Sequence, residues 1–141
     1  MIAVDTNILA RFYCDDPDDP EAKRQQVIAR RVMVESEAIF VPLTVVLEFE
    51  WVMRGFYEAE PSSFCDAMAH LLGMRHVTVE RWEAVNDAVN LHRRGLDFAD
   101  ALHLTSRNGT MMAFQAEFHS YWPRRSRGKS AILRSASAHR A

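Results

Sequence analysis

Apolar residues along the chain fall into short runs separated by longer stretches of helical periodicity. "IAV" (2–4), "AIFV" (38–41), "HVTV" (76–79) and "TMMAF" (110–114) are brief runs of the kind that form buried strands. Between them the pattern predicts helices. "TNILARFY" forms a short one, and residues 21–36 a moderately amphipathic one. Residues 43–54, after Pro42, form an unusually apolar one. Pro61 opens another, with Phe64, Met68, Leu71 and Leu72 on one face. Trp82, Val85, Val89 and His92 repeat at helical spacing. A last helix follows Gly95 and ends at "NG" (108–109). "CDDPDDPE" (14–21) reads as a loop, because its aspartates and prolines favour turns. Strands alternating with helices predict an α/β fold with a parallel sheet and helices on its faces. Sites in such sheets gather at the carboxyl ends of strands, which is where Asp5 stands.

Length and composition narrow the class. At 141 residues the chain is one domain's worth. No apolar run approaches the roughly 18 residues of a membrane span. The start, "MIAVDTNILA", lacks the basic region and cleavage site of a secretory signal. Cys14 and Cys65 make neither a metal-finger spacing nor a disulfide framework. A reducing cytoplasm is the expected setting. The net charge of −2 is uneven. Residues 123–141 carry six Lys/Arg and no acid, leaving 11 basic against 19 acidic residues in 1–122. An acidic domain (1–122) with a basic tail (123–141) follows. The tail has too little apolar content to order itself, and its charge suits phosphate.

Five acids bear on chemistry. Asp5 follows an apolar strand directly, as an N-cap or as a site carboxylate. Glu50 has Arg54 four residues on, which predicts a solvated surface pair. Glu48 has Thr44, Val45, Trp51 and Val52 around it and no cation on its own helix. It is expected on an apolar face, satisfied by a distant basic residue or by a metal. Asp97 and Asp100 suit a capping box, and the helix dipole favours both charges. His103 and Leu104 share the face of Asp100, an inward-looking pattern, and the two acids can jointly hold a divalent cation through oxygen. His92 and His103 lack metal-ligand spacing and read as structural. No G-x-S-x-G, P-loop or G-x-G-x-x-G is present.

"MIAVDTNILAR", "PLTVVLEFEWVMRG" and "GLDFADALHLT", in that order and spacing, resemble the PIN-domain ribonucleases, in particular the VapC-type toxins of toxin–antitoxin pairs. The resemblance covers about residues 1–122. It implies a PIN-like central parallel sheet of four to five strands flanked by helices, and an acidic pocket that binds Mg²⁺ or Mn²⁺ and hydrolyses RNA. By motif, Asp5, Glu48 and Asp100 match the catalytic and metal-binding acids, and Asp97 a less central metal acid. Thr6, Asn7 and Thr44 fall where polar residues support the site. A VapB-like antitoxin and a homodimer are the implied protein partners, and "FEWVMRGFY" (49–57) is rich enough in large apolar residues to serve an interface. Arg11, Arg54 and the tail are candidates for drawing RNA in. The sequence departs from the family in "MAFQAEF", where Gln115 stands at the usual fourth acid and Glu117 lies two residues on. The alternative reading is a catalytically weakened PIN-fold module that pairs with an antitoxin. An aspartyl-phosphate phosphatase is a weaker match, because Asn7 stands where a second acid is needed.

Overall fold

The computed structural model describes residues 1–107. The strand expected at 110–114, the helix end at 108–109, Gln115, Glu117 and the segment 123–141 lie outside the described residues. Elements follow in the order β1 (Ile2–Ala3), α1 (Thr6–Tyr13), α2 (Pro20–Glu35), β2 (Ile39–Val41), α3 (Leu43–Gly55), α4 (Pro61–Gly73), β3 (Val77–Val79), α5 (Trp82–Arg93) and α6 (Phe98–Ser106). The strands form one parallel sheet in the order β1-β2-β3. Ile2 is paired with Ile39, and Ile39 with Val77. The α/β alternation is thus present, with three parallel strands among the described residues.

Helix starts coincide with residues that can satisfy free N–H groups. Asp5, Asp19 and Asp97 each accept a backbone N–H at the start of α1, α2 and α6, from Ile8 at 2.9 Å, Glu21 at 3.0 Å and Asp100 at 3.3 Å. The loop after Tyr13 is shorter than expected, because Asp19 caps α2 and Pro20 occupies a first-turn position that needs no N–H. α3 differs. Pro42 at its start offers no side-chain cap, and the Leu43 N–H instead donates to Glu80 Oε2 at 2.7 Å. Glu80 directly follows β3, so an acid after one strand closes the helix that follows its neighbour. The N-terminal dipole of α3 favours that charge.

α5 ends where Gly95 adopts φ 107°, a left-handed conformation that suits glycine. Gly95 N–H bonds to His92 O at 3.0 Å and Leu96 N–H to Leu91 O at 3.2 Å, while Leu96 is buried. This is a Schellman ending, and it turns the chain straight into Asp97 and α6.

The core lies between sheet and helices. Leu9, Met33, Ile39, Val41, Val46, Phe49, Met68 and Phe98 are fully buried, each worth about 1.5–3 kcal/mol relative to exposure. Phe64 links two sides of it, with its ring 5.8 Å from Phe49 and 4.8 Å from Phe98. His92 packs edge-on to Phe98 at 5.9 Å, and its Nδ1 lies 2.6 Å from Leu96 O. That bond satisfies a buried ring nitrogen, which is a structural role, as its spacing implied.

Candidate active site

α3 packs against both α1 and α6. Each flank carries part of the expected site. On the first flank, Asp5 is exposed beyond the carboxyl end of β1, and one oxygen of it caps α1. Thr6, the first residue of α1, donates its hydroxyl to Glu48 Oε2 at 2.5 Å. Thr6 and Asn7 then line an open cleft of about 510 Å³ with Glu48, Trp51 and Val52 of α3 and with Phe56 just after it. A Cβ added at Gly55 would meet nothing within 4 Å, so the cleft has room for a small side chain there. Thr44, one turn before Glu48, is exposed.

On the second flank, Asp97 caps α6 through Asp100 N–H. Burial raises the Asp100 carboxyl above its ordinary range. The charge of Asp97 adds to that rise, and His103 opposes it. The capping reading of this pair is therefore correct as far as the backbone goes, and the like charges also feel each other. Asp97 further acts on Arg54 of α3, whose pKa is raised first by its hydrogen bond to Glu50.

Three expectations are overturned here. Glu50 is buried, 3% exposed, and not a solvated surface residue. Its partner is the expected one: Arg54 Nε and Nη2 donate to its two oxygens at 2.9 and 3.3 Å. Glu48 is exposed and lines the cleft instead of lying on a buried face. The two glutamates exchanged places because Trp51, which made the Glu48 face look internal, is itself 57% exposed. Lastly, His103 is exposed and does not look inward with Asp100, which is half-buried.

Thr6 thus joins the first motif to the second by a hydrogen bond, while Asp97 of the third motif reaches Arg54 of the second only through its charge. Among the described residues, no three His, Cys, Asp or Glu side chains gather closely enough to hold one metal ion. The chemistry of the donors, carboxylate and hydroxyl oxygens throughout, fits a hard divalent cation and not zinc. Thiol chemistry has no support. Burial, then Asp15, pushes the Cys14 thiol up to about 12, and burial also raises Cys65.

Of the cations expected at the rim, Arg11 is engaged elsewhere, 3.3 Å from Asp19 and 4.0 Å from Asp16 in the acidic loop. Two positioning residues escaped the motif reading, Glu80 and Arg81. Arg81 donates to Ser106 O at 2.9 Å at the end of α6, from a left-handed backbone with φ 52°. A signal for Glu80 did exist, since "VTVE" places an acid directly after an apolar strand just as "AVD" does. No helix of the described residues is long and apolar enough to cross a membrane. Comparison with protein-family models, curated proteins and solved structures found no match.

Proposed function

We propose that the chain is a metal-dependent ribonuclease of PIN type, the toxin of a toxin–antitoxin pair, hydrolysing RNA phosphodiester bonds. The observation that carries this reading is the Thr6–Glu48 hydrogen bond. It draws together two acid-bearing motifs, "VDTN" and "VVLEFE", beside a solvent-open cleft at the end of a parallel sheet. Asp5, Glu48, Asp97 and Asp100 are the residues that would hold Mg²⁺ or Mn²⁺. Bound there, the ion supplies Lewis acidity and a water of lowered pKa.

The chain's own residues do the rest. Thr6 fixes one oxygen of Glu48, which leaves Oε1 to accept a proton from the attacking water. Asp5 and Asp97 each spend one oxygen on a helix cap, which sets the direction of the other. Asn7 offers an amide to the cleft for orienting the strand. Single-stranded or looped RNA suits an open cleft, since its backbone can enter. In this reading the sheet has four to five strands, and the protein works in the cytoplasm.

Trp51 and Phe56, 57% and 68% exposed beside the cleft, support a protein interface on this face. The proposed occupants are a VapB-like antitoxin and a second copy of the chain. Sedimentation of the purified chain tests the homodimer; a strict monomer removes it. Cleavage of a pool of structured RNAs in Mg²⁺ or Mn²⁺, with EDTA as control, tests the activity. Cleavage lost in Glu48→Gln and Asp100→Asn is expected. A native chain inert at every metal concentration ends the ribonuclease reading and leaves the binding module.

A further inference from the structure

We infer that Arg54 is a phosphate-binding residue, its guanidinium held in orientation by the buried carboxylate of Glu50 beside the acids that open α6. The ligand rests on the ribonuclease reading; the placement rests on geometry. Glu50 is 3% exposed, whereas the Arg54 side chain is 58% exposed. A buried ion pair is a weak source of stability, because desolvation offsets most of the attraction. An apolar residue at position 50 would serve the core as well. What the carboxylate supplies is direction. Two bonds, from Nε and from Nη2 to separate oxygens, fix the plane of the guanidinium.

The same two bonds leave donors over. They use one N–H on Nε and one on Nη2. The rest, including both on Nη1, have no hydrogen-bond partner among the described residues. α3 touches α6, and Asp97 lies close enough for its charge to act on Arg54. A phosphodiester approaching Asp97 and Asp100 meets two negative charges and needs a fixed cation to offset them. Arg54 is in position to be that cation, with a planar fork matched to phosphate oxygens.

The test is binding of a fluorescein-labelled single-stranded RNA, read by anisotropy in Ca²⁺ buffer over a NaCl series. Four full-length proteins are compared: the unaltered chain, Arg54→Ala, Arg54→Lys, and the double variant Glu50→Leu with Arg54→Met. The double variant strands no buried carboxylate, so it decides the matter if Arg54→Ala fails to fold. Arg54→Ala and the double variant should bind roughly tenfold more weakly at low salt, the worth of one charge-assisted hydrogen bond. The slope of log affinity against log salt should become shallower by about 0.7, the signature of one lost phosphate contact on a single strand. Arg54→Lys keeps the charge and should keep the slope. A purely structural ion pair would leave the slope unchanged in the double variant, and that result overturns the assignment. If the unaltered chain binds no RNA at any salt, the ribonuclease reading fails first and takes this assignment with it.

Discussion

The Thr6 hydroxyl and the Glu48 carboxylate, 42 residues apart in the chain, share a 2.5 Å hydrogen bond at the mouth of the cleft. A hydrogen bond to a charged group is worth about 1.5–3 kcal/mol. Thr6→Val keeps the shape of the side chain and removes the donor. RNA cleavage is expected to fall roughly tenfold to a hundredfold, with Thr6→Ser retaining most of it. Steady-state cleavage rates check this, and equal rates for Thr6→Val and the native chain would deny the bond a role.

Asp100 gives a pH dependence whose sign follows from its raised pKa, caused by burial first and by Asp97 second. The folded chain holds this proton more tightly than the unfolded chain does. The stability so gained is complete below the ordinary carboxyl pKa of about 3.9 and is lost as pH rises through the folded value. Asp100→Asn removes that loss. Its melting temperature should exceed that of the native chain at neutral pH, and the gap should close in acid. Thermal melts across a pH series measure this. A lower melting temperature at neutral pH would mean that the start of α6 gains more from the charge than burial takes away.

Glu80 closes the start of α3 from another strand. Loss of a capping side chain costs about 0.5–2 kcal/mol. Glu80→Ala should destabilise the chain by about that much, and Glu80→Gln, which keeps an acceptor, by less. Urea unfolding midpoints check the order. Identical midpoints would show that water replaces the cap without loss.

Phe98 is fully buried against Phe64 and His92, and it is the first residue of the helix that Asp97 caps. Phe98→Ala should cost about 3–5 kcal/mol. Because the same turn carries Asp100, metal-dependent cleavage should fall with it. Urea unfolding and cleavage are both measured, and a loss under about 1 kcal/mol would mean the site collapses around the missing ring.

Much of this was legible in the sequence. Every helix and strand described was expected within a residue or two, since each has a local cause: an apolar run, an aspartate cap, or Gly95 at a helix end. Asp97 is legible as a cap because N-cap geometry needs only neighbours. The phase of α3 was not legible. Periodicity marks an apolar stripe but does not say whether it faces a core or an open cleft, and Trp51 and Phe56 face the cleft. The Glu50–Arg54 pair follows from spacing, but the burial of Glu50 depends on tertiary packing, which spacing does not show. Glu80 reaches α3 across the sheet, and no spacing rule on either element announces that contact.

Glu48 and Glu50 are two residues apart on α3, so they point about 200° apart around its axis. One lines the open cleft with Thr6 and the other is buried against the protein interior. An inserted or deleted residue in the first half of α3 would rotate everything after it by about 100°. Glu48 would swing off Thr6, and Arg54 would leave Asp97, in a single event. A substitution there damages one flank, whereas a change of length damages both. Changes of length are therefore expected to be tolerated in the turns, such as 14–18 and 56–60, and not within α3.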